Sequence, residues 1–358
     1  LHIIYKLPLV FLNVSIIGPV LFLIYINDLS LASIFNSIMY AYDTNLLSTI
    51  CNFQCTTTPN VSPAHNINEE LQKVSDWLAV NKLSLNVDKT KFMIFHTKQK
   101  NLNQIPEMKK NDKLIERVES FKFLGVIIDQ NLNWNNHVNH ISNKLSRTCG
   151  LISRLNKEMP KPILKMLYNT LFLSHLNYGI TAWGFHSCSR IIKLQKKAVR
   201  LISCSKYYAH TSALFKELGL LKFSDIFNLS CIKIYYKYVH NLLPAYFNNF
   251  FILNNQTPNP QTRPNRTIWT PQKYNDTEND IPVFNPTMQV KYTNTKTCRL
   301  CIRHKVTAFI NENILPPIVM NKIETHSYYG FTQYAKNFII DNYESMCNIV
   351  NCFVCSRN

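Results

Sequence analysis

The spacing of apolar residues switches between helical and alternating periods over the first 130 residues, which predicts an α+β segment. Its clearest helix covers residues 66–80, where Asn66 would be the N-cap and Glu69 would complete a capping box. The apolar face of this helix repeats at helical spacing through four residues, namely Ile67, Leu71, Val74 and Leu78.

Shorter apolar runs predict the other elements of this segment. Residues 19–29 predict a helix, because Pro19 suits the first helical position. Residues 37–41 and 44–48 predict a β-hairpin around Tyr42 and Asp43. Three more strands are predicted at 91–96, 113–118 and 121–128, and the hairpin is expected beside the last of them.

After residue 130 the period becomes helical. A first helix carries an apolar stripe of Val138, Ile141, Leu145 and Ile152. A second helix starts at Pro160 and Pro162 and runs through Leu171. A third covers residues 189–203, with apolar residues on one face and cations on another: Arg190, Lys193, Lys196, Lys197 and Arg200. Such a face is either an ordinary solvated surface or a binding site for phosphates, and the two interpretations stay open.

The last hundred residues are less regular. Residues 256–297 are rich in Pro, Asn and Thr, which favours a linker. Helices are predicted at 304–313 and 329–343. The predicted domains are therefore 1–130, a helical region at 131–255, the linker, and a mixed C-terminal region at 298–358.

Composition restricts the function. Hydrophobic residues are 46% of the 358 residues, so the chain can bury two or three cores and is not globally disordered. Only 7 glycines argue against a dinucleotide fold. Residues 121–258 carry 17 Lys and Arg but 4 Asp and Glu. This imbalance favours a nucleic-acid partner over an anionic lipid or a merely soluble basic surface.

Residues 7–26 are almost free of charge and would just span a bilayer. Asn13, Ser15 and the Gly18–Pro19 pair interrupt the run, however, and a signal-peptide pattern is absent. A buried loop and helix is favoured, and no membrane association is expected. The first residue is Leu rather than Met, which suggests a fragment.

The 11 cysteines show no disulfide framework, and most lie singly in apolar runs, as Cys204 and Cys231 do. This usage is typical of reduced thiols, so an intracellular location, nucleus or cytoplasm, is expected. Two CxxC pairs, Cys298 with Cys301 and Cys352 with Cys355, have the spacing of zinc ligands. Fifty residues separate the pairs, which favours chance spacing over a Zn²⁺ site.

Several motifs occur in a fixed order along the chain. Residues 15–29, SIIGPVLFLIYINDL, precede 39–47, MYAYDTNLL; a pattern from Trp77 to Phe95 follows, then Phe121-Lys-Phe-Leu-Gly125. In this order they resemble the reverse transcriptases of non-LTR retrotransposons of the jockey or CR1 type. The resemblance implies a partial palm of antiparallel sheet and helices, followed by a helical basic thumb and a mixed C-terminal region.

The resemblance also implies site residues. Ser15 and Gly18 would contact the nucleotide, and Asp43 would be a catalytic carboxylate and a ligand of Mg²⁺. Lys89 would be a general acid that protonates pyrophosphate. The turn that contacts the primer would contain Phe121, Leu124 and Gly125. The partners would be an RNA template and a DNA primer, held by the cations of residues 189–203, and two metal ions would drive phosphodiester formation.

The chain departs from the family pattern at the hairpin. Tyr42 stands where the first of two adjacent carboxylates is expected, and a phenol with a pKa of about 10 is a poor Mg²⁺ ligand. An earlier catalytic Asp of the family would lie upstream of Ser15. We therefore expect the chain not to polymerise alone. The alternatives are a turn aspartate at Asp43, a surface lysine at Lys89, and a non-catalytic nucleic-acid-binding remnant as the whole protein.

Overall fold

The chain folds into two compact units, Leu1–His137 and Val138–Asn358. The computed structural model describes residues 2–8, 17–40, 43–49, 63–83, 89–99, 108–110, 113–186, 188–247, 319 and 321–343. Strands and helices mix in the first unit, and the described part of the second is helical. The predicted α+β class is therefore confirmed.

A five-stranded sheet forms the base of the first unit. Its strands are β1 (His2–Pro8), β2 (Asn36–Tyr40), β3 (Asp43–Thr49), β4 (Lys91–Phe95) and β7 (Glu116–Arg117). The spatial order is β2-β3-β1-β4-β7, and all neighbours are antiparallel except β4 and β7. Strand β1 occupies the centre of the sheet, although the sequence analysis predicted no strand there.

The predicted hairpin is confirmed, but its turn lies one residue earlier than expected. Strands β2 and β3 pair from Asn36↔Leu47 to Tyr40↔Asp43, so Ala41 and Tyr42 connect them. Asp43 is consequently the first residue of β3 rather than part of the connection.

Two predicted strands were wrong in extent. Residues 113–118 divide into β6 (Lys113–Leu114), which pairs with β5 (Lys109–Lys110), and β7. Residues 121–128 belong to a second hairpin, β8 (Ser120–Phe123) and β9 (Val126–Asp129). Leu124 and Gly125 form its turn with φ of 43° and 85°, a conformation that glycine adopts without strain. This hairpin is a separate two-stranded sheet, so the expectation that β2 and β3 lie beside it was also wrong.

Two helices cover the sheet of the first unit. Helix α1 (Gly18–Ile26) continues into a 3₁₀ turn at Asn27–Leu31, and α2 covers Pro63–Val80. Because α2 begins at Pro63, Asn66 is inside the helix and the predicted N-cap was wrong. The apolar face predicted for α2 is buried, together with Phe22 and Ile26 of α1, Leu46 of β3, and Phe92 and Ile94 of β4.

The apolar run at residues 7–26 is not one helix. Leu7 and Pro8 end β1, and α1 has nine residues. The expectation of a buried helix was wrong for most of α1, because Val20, Leu21, Leu23, Ile24 and Tyr25 are exposed. Among the helices that the structure describes, none is both long enough and apolar enough to cross a membrane.

The described helices from residue 135 onward are α3 (Asn135–Leu155), α4 (Lys161–Leu167), α5 (Ser174–Asn177), α6 (Ile180–Trp183), α7 (Ser189–Ile202), α8 (Thr211–Glu217), α9 (Phe223–Val239), α10 (Lys322–Thr325) and α11 (Tyr328–Asp341). A π-helical turn, Tyr168–Leu173, joins α4 to α5. The predicted helices at 160–171, 189–203 and 329–343 are confirmed. The predictions for 256–297 and 304–313 lie outside the described residues.

A buried glutamine organises the core of the second unit. Gln195 of α7 is 1% exposed. Its Nε2 donates to the Tyr168 hydroxyl and to the Leu221 carbonyl, each at 2.9 Å, and its Oε1 accepts from the Phe223 N–H at 2.9 Å. These bonds fix α7 against the π-helical turn and the start of α9, so the opposite face of α7 is held toward solvent.

Candidate nucleic-acid-binding site

Three strands meet beside the predicted catalytic carboxylate. Asp43 lies opposite Tyr40 of β2 and opposite Pro8 of β1, and its side chain is half-buried. The sheet register therefore fixes the backbone of Asp43 at one end of the sheet. Tyr42 and Ser15 lie outside the described residues.

The register also locates Lys89 relative to Asp43. Lys91 of β4 pairs with Lys6 of β1, and Lys89 precedes this pair by two residues. Since β1 runs on to Pro8, Lys89 and Asp43 lie at the same end of the sheet, on either side of β1. The Lys89 side chain is exposed.

The other predicted residues of the first unit lie at the start of α1 and in the β8–β9 hairpin. Gly18 begins α1, with Ile17 as the N-cap residue. Phe121 lies in β8, and Leu124 and Gly125 make the turn to β9. After β9, the Asp129 carboxylate accepts backbone N–H groups from Asn131, Asn133 and Trp134 at 2.8–3.1 Å. The end of this hairpin is thereby fixed by a side chain to which the sequence analysis gave no such role.

A magnesium site requires several oxygen ligands that converge on the ion. In the part of the chain that the structure describes, no group of three or more His, Cys, Asp or Glu side chains is placed to hold a metal ion. Asp43 alone does not fit the pair of Mg²⁺ ions that the family uses, since such ions take several oxygen ligands each. The CxxC cysteines lie outside the described ranges.

Four of the five predicted cations stand on one exposed face of α7. Arg190, Lys193, Lys196 and Lys197 are all exposed, and Arg190 donates to Asn143 Oδ1 at 3.1 Å. The opposite face is buried through Ile191, Gln195, Ala198, Val199 and Ile202. The exposed cations are therefore a continuous feature of the surface, which we call the α7 cationic face.

Arg200 differs from the other four cations. It is half-buried, and its Nε donates to the Ala209 carbonyl at 2.9 Å. Its Cζ lies 6.0 Å from the centroid of the Tyr207 ring, and burial lowers the pKa of its guanidinium. Arg200 thus holds the connection between α7 and α8, a role that its position in the sequence pattern did not indicate.

The chain around the α7 cationic face has almost no negative charge. Between Asp129 and Glu217 the sequence has 13 Lys and Arg and a single acid, Glu158. Farther along the chain, burial lowers the pKa of Lys233, and the charges of Lys336 and Lys237 lower it further. Burial also lowers the pKa of Lys336, together with the charge of Lys165. The second unit therefore carries a strong positive field with little internal compensation.

Four cysteines fall within the described residues, and all are free thiols: Cys149, Cys188, Cys204 and Cys231. Burial raises the pKa of Cys149 to about 11 and that of Cys188 to about 12. These two thiols are consequently protonated and unreactive at neutral pH.

Comparison with known proteins identifies polymerases as relatives. The RNA-directed DNA polymerase from mobile element jockey of Drosophila melanogaster is 23% identical over 226 residues, 59% of this chain and 24% of that protein. The probable RNA-directed DNA polymerase from transposon X-element of the same fly is 23% identical over 230 residues, 60% of this chain and 24% of that protein. The jockey polymerase of Drosophila funebris is also 23% identical, over 221 residues. No protein-family model matches the chain.

The ordered motifs and these similarities define a relative of RNA-directed DNA polymerases. More particularly, the chain is related to the reverse transcriptases of non-LTR retrotransposons, which confirms the resemblance seen in its motifs. The chain spans 24% of the length of the curated relatives it matches.

Proposed function

We propose that this chain binds a template–primer duplex, an RNA strand paired with DNA, through the α7 cationic face. Its basic helical unit would act as the thumb of a reverse transcriptase, and the sheet with its hairpin as a partial palm. The observation that carries the proposal is the exposure of four cations on one helix, within a stretch that has 13 basic residues and one acid.

The dimensions of the α7 cationic face suit a nucleic-acid backbone. Arg190 and Lys197 are seven residues apart, which corresponds to about 10 Å along a helix. One strand of a duplex advances about 3.4 Å per phosphate, so the face covers about three phosphates. Arg and Lys at this spacing neutralise backbone charge without reading the base sequence.

We further propose that the chain does not catalyse nucleotidyl transfer by itself. Two-metal chemistry requires several carboxylate oxygens, and the hairpin offers Asp43 with Tyr42 as its neighbour. A phenol stays protonated at neutral pH and binds Mg²⁺ weakly. The chain would then be a template–primer-binding piece of a polymerase rather than a complete enzyme.

Binding is tested by the triple change Lys193→Glu, Lys196→Glu and Lys197→Glu. Fluorescence anisotropy with a labelled RNA–DNA hybrid should show affinity reduced at least about tenfold. The slope of log K against log salt should become shallower by about 2.7, because each lost phosphate contact removes about 0.9. Arg200 is left unchanged, since its substitution would also disturb the connection to α8.

A matched control changes three exposed lysines of the first unit, Lys82, Lys98 and Lys113, to Glu. Both triple variants alter the net charge equally, but the control should keep the wild-type salt slope. An equal loss of affinity in both variants would show that only net charge matters and would contradict the assignment to α7.

The catalytic part is tested by Mg²⁺-dependent primer extension on the same hybrid. The wild-type chain is expected to give no extended product. A product that disappears on Asp43→Asn would show that the hairpin is catalytically competent and would overturn this part of the proposal, while the binding part would stand.

A further inference from the structure

The connection between α7 and α8, residues 203–210, exposes two adjacent tyrosines. Tyr207 is 86% exposed and Tyr208 is 40% exposed. Three other aromatic residues of this unit, Tyr168, Trp183 and Phe215, are at most 1% exposed, although Tyr178 and Tyr329 are also exposed. A tyrosine that leaves its ring in water forgoes one of the largest burial gains available to a side chain. A structural role in the core does not explain Tyr207.

The connection is nevertheless ordered by local bonds. The Ser205 N–H donates to the Arg200 carbonyl at 3.0 Å, and the Ala209 N–H donates to the Lys206 carbonyl at 3.0 Å. Arg200 Nε donates to the Ala209 carbonyl, and its guanidinium lies on the same side of the connection as the Tyr207 ring, 6.0 Å from the ring centroid. The ring of Tyr207 is thus presented on a fixed support.

Cations flank both rings. Arg200 Cζ is 6.0 Å from the Tyr207 centroid, and Lys206 Nζ is 5.8 Å from the Tyr208 centroid. The sequence has no acid between Glu158 and Glu217, so no carboxylate of that stretch competes for these cations. An exposed aromatic face next to positive charge combines the two features by which proteins bind unpaired nucleotides.

We propose that Tyr207 stacks against an unpaired base of single-stranded nucleic acid, with Arg200 and Lys206 beside the adjoining phosphates. This inference rests on the proposed function, because it places the single-stranded site at the C-terminal end of the α7 cationic face. Stacking tolerates any base, since every base has a π-face, so the site would be indifferent to sequence. A duplex that ends in a single-stranded overhang would bind the α7 cationic face through its paired part and Tyr207 through its overhang.

The test uses the full chain and a single-stranded RNA that carries one 2-aminopurine. The RNA has about twelve nucleotides, which is within the usual size of such binding sites. Wild-type binding should quench the 2-aminopurine fluorescence through stacking. Tyr207→Leu should abolish the quenching and weaken binding about tenfold, with an unchanged salt slope because no phosphate contact is lost. Tyr207→Phe should retain both the quenching and the affinity.

A control variant is Tyr329→Leu, because Tyr329 is 73% exposed on α11 and shares the chemistry of Tyr207. It should behave as wild type. Binding of a blunt RNA–DNA hybrid should be unaffected by Tyr207→Leu.

The outcomes separate the two proposals. If Tyr207→Leu leaves RNA binding and quenching intact while the α7 triple variant loses hybrid binding, the stacking site is overturned and the proposed function stands. If the wild-type chain binds neither RNA nor hybrid, both are overturned. If Tyr207→Leu removes binding to phosphatidylserine vesicles and leaves RNA binding unchanged, the connection is a lipid contact and the stacking site is overturned.

Discussion

Two buried polar sites, one in each unit, differ in how completely their side chains are hydrogen-bonded. In the second unit, Gln195 is buried and both ends of its amide are hydrogen-bonded. In the first, Thr44 is 0% exposed and Asn45 is 2% exposed, yet Thr44 Oγ1 and Asn45 Oδ1 have no partner within the described part of the chain. Both residues directly follow Asp43.

Gln195 holds α7, which carries the proposed binding face, whereas Thr44 and Asn45 follow the residue that the family resemblance marks as catalytic. Buried polar atoms are normally paired, and an unpaired one calls for a reason other than stability. The net charge also differs between the units: residues 1–137 carry 12 basic and 11 acidic side chains, whereas residues 138–358 carry 27 basic and 10 acidic side chains. The sequence of the second unit therefore carries an excess of positive charge, which suits polyanion binding.

The largest expected effect on stability comes from breaking the network in the second unit. Gln195→Leu keeps the approximate volume but leaves the Phe223 N–H, the Leu221 carbonyl and the Tyr168 hydroxyl without their partner. We expect a loss of about 3 kcal/mol, since each buried group left unpaired costs about 1 kcal/mol or more. Hydrogen exchange in peptides from α7 and α9 should accelerate about a hundredfold.

The matched control for this change is Gln72→Leu on α2. Gln72 is exposed, and its Nε2 donates to Asp76 Oδ1 at 2.7 Å. Its loss should cost at most about 0.5 kcal/mol. Equal effects of the two changes would show that the Gln195 network does not support α7.

The features that could be predicted from sequence are those set by periodicity. The apolar face of α2 and the amphipathic helix α7 follow from the 3.6-residue period, and the β2–β3 hairpin follows from two short apolar runs around a turn. The apolar faces of α2 and α7 are the ones the fold buries, whereas Ile38 and Tyr40 of β2 are exposed. Where the pattern and the burial coincide, the boundaries were correct within a few residues.

The features that could not be predicted depend on contacts between distant residues. Strand β1 pairs with β3 and β4, which follow it at long range, and the apolar run at residues 7–26 concealed its end. The turn at Leu124 and Gly125 interrupts a run that otherwise alternates as one strand. The separate role of Arg200 depends on the fold of the next connection, because the Ala209 carbonyl is its hydrogen-bond acceptor.

The second-largest expected effect on stability comes from changing Glu70, the buried carboxylate of α2. Glu70 is 5% exposed, and it accepts from the Ile34 N–H at 3.0 Å and from Lys73 Nζ at 2.5 Å. The hydrogen bond from Lys73 is the main cause that lowers the pKa of Glu70 from 4.5, and the bond from Ile34 adds to it. Glu70→Gln should destabilise the first unit by about 1.5 kcal/mol at pH 7, because a charge-assisted bond becomes a neutral one.

The pH dependence of this effect has a definite sign. A carboxyl whose pKa is lower in the folded state stabilises the protein above pH 4.5, and this contribution is lost as the pH falls through the folded pKa. The difference between Glu70→Gln and wild type should therefore shrink below pH 4, as followed by urea unfolding. A difference that stays constant down to pH 3 would assign the effect to packing rather than to charge.

The smallest expected effect has the opposite sign and bears directly on the comparison of the two buried polar sites. Thr44→Val keeps the branched shape of the side chain and removes a buried hydroxyl whose oxygen has no partner in the described structure. We expect the first unit to gain about 0.5 kcal/mol, because valine has no polar group to desolvate.

Thr148→Val is the counterpart in the second unit, where the Thr148 hydroxyl donates to the Lys144 carbonyl at 3.3 Å. Thr148→Val should destabilise the second unit slightly. Thermal unfolding measures the stability of both variants, and hydrogen exchange assigns each change to its unit. If Thr44→Val instead destabilises as Thr148→Val does, the hydroxyl beside Asp43 has a structural role and the contrast between the Thr44 and Gln195 sites fails.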